Sequence, residues 1–400
     1  MAKGKQVLWL QVCGLGMVQG AIALSWVIYN FYLPKLLVQF GFSKSLAISL
    51  LVLENALAVF MEPLMGSLSD NKQRWVASRF PFIMLGVLLS SGLFIAIPCV
   101  VTFVPPTTVL KFILPPLVVA WALAMTVFRS PVLSLLGRYA MPKSLPMAAS
   151  VLTLIGGIIG SFRIAANDLL LSFGPVITFA FGSFVLLGSA TVLRFIHPPQ
   201  VVSDEPVDKH QAESPPPISF PALGSIFILG GSFAWGYRTL LDGVSKFLKL
   251  DLNTDNIQLQ MVAFGLLAAF AALPAGLIAK KIGNRKAMLA GTGIVALLML
   301  LLPLVGANII LLVPLAISSS FILNGTVPFA IEMVPPDYGG LGKGMLFGGV
   351  GLAMSIFGSV FNQPQAISPQ LAALMSSVAF GLVLGCLVYS NFTHKKQSIV

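Results

Sequence analysis

Five ionisable side chains stand inside stretches that are otherwise apolar: Glu54, Glu62, Arg129, Arg163 and Arg238. A charge carried into a hydrocarbon phase costs roughly a few kcal/mol or more, so each needs a partner, a ligand or an ion to carry. Glu54 and Glu62 are separated by about 12 Å of helical rise and about 80° of rotation. Two acids in file suit a cation path; equally, each suits a structural bond to a neighbouring helix. Asp70 and Arg138 mark the loop ends of their segments. On that scale Glu62 lies about 12 Å deep and Arg129 about 13 Å deep. Matching depth makes Glu62 the leading partner for Arg129, with Glu54 second. Such a pair either pins two helices together or titrates during a cycle. Arg163 has Asp168 close by for a structural pair. Arg238 and Asp242 have the i,i+4 spacing of a local salt bridge.

The elements that must position these groups follow from composition. Hydrophobic residues make up 57% of the 400-residue chain and charged residues 9%, against about 25% charged in a soluble domain. Apolar runs cover residues 7–32, 44–68, 80–103, 110–137, 146–167, 172–195, 221–245, 257–279, 286–305, 307–331, 344–363 and 369–391. Their length reads as membrane-spanning helices, and they lack the alternation of a barrel strand. The expected fold class is an all-α membrane protein of twelve transmembrane helices. The net charge of +11 would suggest nucleic acid in a soluble chain; here the bases cluster in short loops. With the N-terminus inside, only Lys35, Lys44, Lys111, Lys246 and Lys249 fall in outer segments. That fits the positive-inside rule with both termini cytoplasmic, in a plasma (inner) membrane.

Other classes find little support. Cys13, Cys99 and Cys386 fall in separate apolar runs, which argues against a disulfide framework. The N-terminal apolar stretch lacks a small-residue cleavage site and reads as the first span. His197, His210 and His394 lie in the linker or tail, so a histidine-ligated haem is not expected. There is no Walker loop, no paired Cys/His metal spacing and no nucleophile elbow. No enzyme, no cofactor, no nucleic-acid partner and no metal is expected, beyond a coupling Na⁺ at Glu62.

The chain repeats a signature. Glu62-Pro-Leu-Met-Gly-Ser-Leu-Ser-Asp70 runs on to Arg79, and Pro274-Ala-Gly-Leu-Ile-Ala-Lys-Lys-Ile-Gly-Asn-Arg-Lys286 returns 210 residues later, with Gly276 matching Gly66. Between the copies, 197–220 is rich in proline and charge and cannot bury enough apolar surface to fold alone. The expected organisation is a six-helix bundle over 1–196, a cytoplasmic linker over 197–220 and a second bundle over 221–400. Gly156, Gly157 and Gly160 in the fifth span, and Gly344, Gly348, Gly349 and Gly351 in the eleventh, allow close helix approach. Either static packing or a sliding interface would use them.

The paired signature resembles the loop motif of the major facilitator superfamily. The second copy departs from it by placing Lys280 where the acid belongs, and the first lacks the inner glycine. The resemblance implies two pseudo-symmetric six-helix bundles around a central cavity. It also implies a conformational gate at Gly66, Asp70, Arg79, Gly276, Lys280, Lys281 and Arg285. Glu62-Pro63-Leu64-Met65-Gly66 is similar to the acid-Pro-x-x-Gly of glycoside–pentoside–hexuronide:cation symporters, where the acid binds the coupling cation. Thr126 falls where that family has a cation-binding threonine. Arg129 departs from the family's aspartate and is instead similar to the sucrose-transporter branch. The coupling residues implied are Glu62, Glu54 and Thr126. Substrate contacts are expected from Arg129 and from Gln19, Trp26, Tyr29 and Asn30 on the first span. Trp235, Asn324 and Asn362 are expected to add to them. Trp26, Tyr29 and Asn30 share a helix face, which suits a sugar ring, although Tyr29 also fits an interfacial aromatic belt. The function expected is secondary transport of a sugar or glycoside by H⁺ or Na⁺ symport, as a monomer in the lipid bilayer. The alternatives are a proton-coupled exporter of drugs or lipid-like solutes, and a non-transporting membrane assembly factor. The fifth span lacks the Gly-Pro motif usual in multidrug antiporters.

Overall fold

A computed structural model describes residues 7–76, 79–104, 108–163, 167–198, 218–361 and 367–397. Among these residues twelve helices are long and apolar enough to cross a membrane. We label them α1 (Trp9–Gln39), α2 (Lys44–Val76), α3 (Phe80–Phe103), α4 (Thr108–Ser134), α5 (Leu145–Ser161) and α6 (Asn167–Ile196) in the first half. The second half holds α7 (Phe220–Asp251), α8 (Gln258–Ile282), α9 (Asn284–Val305), α10 (Ile309–Glu332), α11 (Gly339–Val360) and α12 (Pro369–Gln397). Residues 199–217 of the expected linker lie outside the described residues.

Several boundaries differ from the sequence expectation. α1 continues through Pro34 to Gln39. Proline costs the helix one hydrogen bond, but Leu36, Leu37 and Phe40 are all buried beyond it, and their packing carries the helix on. α5 stops at Ser161, before the expected end at 167. Lys343 was expected in a loop; it lies inside α11 and has no exposed surface. Arg79, counted as a loop base, is likewise buried.

Buried apolar side chains gather in two main groups. One is drawn from α1–α6 around Trp121, Phe94, Phe128 and Phe179. The other is drawn from α7–α12 around Phe247, Phe329, Phe380 and Met299. These are two six-helix bundles, and they meet along two seams. In the first, α2 lies against α11. A Cβ on Gly66 would fall 2.3 Å from the Gly340 carbonyl oxygen, and one on Gly344 2.4 Å from the Glu62 carbonyl oxygen. Only glycine permits that approach, which runs on to Gly351 against Asn55. Pro63 adds to it: it cannot bond the Val59 carbonyl, and Gly348 of α11 packs onto that freed oxygen. The second seam joins α5 to α8, where Gly276 meets Pro146 and Ser150, and Gly265 meets Ser161. Among the described residues, α1 and α7 make no comparably extensive contact.

Candidate functional site

α2 carries three buried acids at equal intervals, Glu54, Glu62 and Asp70. Each is held by a different element. The result is a ladder of polar contacts roughly 24 Å long through an otherwise apolar bundle.

At the lowest rung Asp70 accepts hydrogen bonds from the backbone amides of Gly340 (2.9 Å) and Leu341 (2.8 Å). These are first-turn amides of α11, which have no partner within their own helix and favour an anion. Asp70 also pairs with Arg79 at 2.5 Å, and Arg79 donates to the Ser134 hydroxyl of α4. Burial pulls the Arg79 guanidinium below its ordinary range, and Asp70 opposes the shift. One carboxylate thus clamps both bundles. Lys343, a turn further along α11, is enclosed, and its ammonium has no hydrogen-bond partner among the described residues.

The second copy of the signature builds a different contact. Gly276 seats α8 on the start of α5. Arg285 donates to the Ser390 carbonyl (3.1 Å) and to the Met333 sulfur (3.2 Å), and Asn284 donates to the Gly325 carbonyl (3.0 Å). Lys280 is half-buried and Lys281 exposed. With lysine at position 280, the second copy carries a base where the first carries Asp70.

On the middle rung Arg129 donates from Nε to Glu62 Oε1 at 2.8 Å, and its Nη2 reaches the same oxygen. The Ser130 hydroxyl donates to Glu62 Oε2. Glu62 has no exposed surface, while 19% of the Arg129 side chain is exposed. The guanidinium lies 4.5 Å over the Phe347 ring of α11, a cation–π contact reaching across the seam. Thr126 donates to the Leu123 carbonyl of its own helix (2.7 Å).

On the upper rung the Tyr29 hydroxyl donates to Glu54 Oε1. Oε2 of Glu54 is enclosed without a hydrogen-bond partner among the described residues, as are the indole nitrogens of Trp26 and Trp121. Tyr29 and Trp121 rings lie 4.1 Å apart, and Trp26 closes the cluster at 5.0 Å from Trp121. Tyr29 therefore sits in the core and not at an interface. Asn30 is exposed and donates to the Trp26 carbonyl (2.7 Å). Gln19 packs beside Gly156.

The remaining candidates scatter. Asn324 donates to the Pro146 carbonyl (3.0 Å) and receives Thr153 at 3.4 Å, joining α10 to α5. Trp235 meets Phe357 edge-on at 5.4 Å. It lines a groove of about 480 Å³ between α7, α11 and α12 that is almost wholly apolar. Asn362 and the side chain of Asp168 lie outside the described residues. Asp242 pairs with Lys246 (2.7 Å) and not with Arg238. An acid preceding the base by one turn is the better helical order, and Lys246 also donates to the Ile367 carbonyl (2.5 Å). Arg238 lies instead 5.4 Å over Phe357. Sequence reasoning missed Ser130, Ser134, Lys343 and the Tyr29–Glu54 bond. Only Ser130 carried a signal, through its place beside Arg129.

No protein-family model matches the chain, and no curated protein matches it by sequence. Solved structures match over nearly its whole length. The human organic anion transporter MFSD10 (TETRAN) aligns with 95% of this chain and 98% of its own, at 14% identity and a TM-score of 0.67. A bacterial homologue of the iron transporter ferroportin, in its outward-facing state, covers 95% and 99%, at 14% identity and a TM-score of 0.67. The major facilitator superfamily transporter FucP, in its outward conformation, covers 96% and 98%, at 13% identity and a TM-score of 0.62. The fold is the major facilitator fold, and the chain is built as an integral membrane protein.

Proposed function

We propose that this protein is a secondary active transporter that moves a small solute, a sugar or glycoside, by symport with H⁺ or Na⁺. The observation that carries the reading is the Glu62 carboxylate, wholly enclosed on α2 and held by Arg129 and Ser130. Its backbone lies against Gly344, and its arginine against Phe347, both on the opposite bundle. Loading a cation on Glu62 removes its free negative charge. The guanidinium is then released toward a solute, and the α2–α11 seam loses a contact that holds it shut. Glu62 acts as the coupling acid, with Glu54 following it outward along α2 and Thr126 assisting if the ion is Na⁺. Asp70 and Arg79 act as the gate, opened when the first turn of α11 withdraws. The major facilitator fold and the fucose:proton symporter among its structural neighbours support this reading. The proposed organisation is a 1–196 bundle, a cytoplasmic 197–220 linker and a 221–400 bundle, with both termini cytoplasmic. A second reading, export of amphipathic solutes, is favoured by the apolar groove beside Trp235.

The test is uptake in proteoliposomes. Labelled sugars and amphipathic solutes are offered with and without imposed H⁺ and Na⁺ gradients. Accumulation of a sugar above equilibrium, driven by one of the gradients, supports the proposal. Expulsion of amphipathic solutes alone favours the exporter. A flux no greater than that of empty vesicles with every solute refutes both.

A further inference from the structure

Lys343 takes no part in the hydrogen bonds of the α2 ladder. It lies one turn into α11 and has no exposed surface, and its ammonium has no hydrogen-bond partner among the described residues. Its place in the helix sets its surroundings. Residues three and four apart share a helix face, so Gly340 and Phe347 mark the face from which Lys343 leaves α11. A Cβ on Gly340 would fall 2.7 Å from Asp70 Oδ1. The Phe347 ring carries the Arg129 guanidinium at 4.5 Å. Gly344, the next residue, seats α11 on the Glu62 carbonyl and Pro63. Lys343 therefore stands inside the α2–α11 seam, at a height between the Asp70 clamp and the Glu62–Arg129 pair.

The charges around that position are already matched. α2 brings Asp70 and Glu62; Asp70 is held by Arg79 and two backbone amides, and Glu62 by Arg129 and Ser130. Arg138, in the turn after α4, and Asp337, just ahead of α11, are exposed. Glu332 is partly buried at the end of α10, and α7 carries no charge before Arg238. An ammonium on Lys343 would be one enclosed charge in excess, with no bond to offset its loss of water. Arginine has no way out of such a position, because its charge is permanent. Lysine can give up its proton.

We infer that Lys343 is a proton-binding residue of the seam: a free amine while α2 and α11 are closed on each other, and an ammonium once they part. Opening admits water from the Asp70 side. The amine takes one proton from that water and, on closing, returns it to the same side; no other bond forms or breaks. This proton therefore biases the gate without crossing the membrane, which separates it from an ion carried on Glu62. The inference rests on the transporter reading only in calling the opening part of a cycle.

Spin labels on the loop ends of α2 and α11 report the seam by dipolar distance, in the full chain in nanodiscs, from alkaline to mildly acidic pH. The parent distances should lengthen as pH falls, because acid favours the state that binds more protons. Lys343→Met keeps the length of the side chain without its charge and should lose most of that response. Lys343→Arg, with a permanent charge, should show the longer distances even at alkaline pH. A parent with no pH response, the parent response in Lys343→Met, or short distances at every pH in Lys343→Arg would each overturn the assignment. Melting of the same proteins is the second readout. Removing an enclosed charge that has no partner strands nothing, so Lys343→Met should melt no lower than the parent. A marked fall in Tm would show that the ammonium is bonded in the closed seam and would also overturn the assignment. A lysine-dependent pH response in a protein that moves no solute across vesicles would uphold the proton site and refute the transporter reading alone.

Discussion

Arg129→Ala leaves the Glu62 carboxylate enclosed with the Ser130 hydroxyl as its remaining partner. Breaking a buried pair from one side costs about 3–5 kcal/mol, because the other charge is stranded. Arg129 keeps 19% of its side chain exposed, so some water follows the guanidinium out, and the lower end of that range, about 3 kcal/mol, applies. Loss of the Phe347 contact adds on the order of 0.5–1 kcal/mol. Glu62→Ala strands the opposite charge, but a partly exposed arginine can turn toward water, so its cost is smaller. With both residues replaced no charge is buried unpaired, and the double variant should be more stable than Arg129→Ala alone. The assay is apparent thermal stability of the parent, both single variants and the double variant, read beside solute uptake. Stability should recover in the double variant while coupled transport does not. Losses that simply add, within about 0.5 kcal/mol, would show that the pair is not coupled, and the reasoning would fail.

Two further outcomes follow from other parts of the molecule. Gly344→Val places a side chain onto the Glu62 and Pro63 backbone, with its Cβ 2.4 Å from the Glu62 carbonyl oxygen. Overpacking of this kind costs about 1–3 kcal/mol and should open the α2–α11 seam. Dipolar distance measurements between spin labels on the loop ends of α2 and α11 should lengthen, and an unchanged distance distribution would count against a movable seam. His197 bonds the Tyr139 hydroxyl through Nδ1 at 2.7 Å, and burial, followed by the charges of Arg138 and Arg194, pushes its pKa down to about 4 from 6.5. A depressed histidine pKa means the unfolded chain binds the proton more readily. The contribution of His197 is therefore complete above about 6.5 and lost as pH falls through about 4. His197→Gln should flatten the stability profile across that window; an unchanged slope would contradict the neutral, buried imidazole.

The sequence carried the spans because lipid imposes a length on an apolar run, and every one of the twelve expected runs has its helix. Depth along a helix is also readable from residue numbers, and depth alone matched Glu62 to Arg129. Azimuth is not readable in this way. Nothing in the spacing of Tyr29 showed that it turns inward to Glu54, and its distance from the nearest loop suggested an interface instead. Lys343 falls just outside the expected run that starts at 344; α11 instead begins at Gly339, and its glycine-rich first turns let α2 approach closely. Arg238 and Asp242 illustrate a different gap. Local spacing offered two partners for one acid, and the choice fell to Lys246 because it also reaches a carbonyl at the start of α12.

The central claim is that Glu62 couples a cation gradient to solute movement. Its most direct test is Glu62→Gln in proteoliposomes, with accumulation under an imposed H⁺ or Na⁺ gradient measured alongside exchange of preloaded solute. Glutamine keeps the shape, with a carbonyl that can accept from Arg129 and an amide that can donate to the Ser130 oxygen, but it cannot take up the ion. The account predicts that gradient-driven accumulation is abolished while exchange persists. Accumulation at the parent level in Glu62→Gln would contradict it.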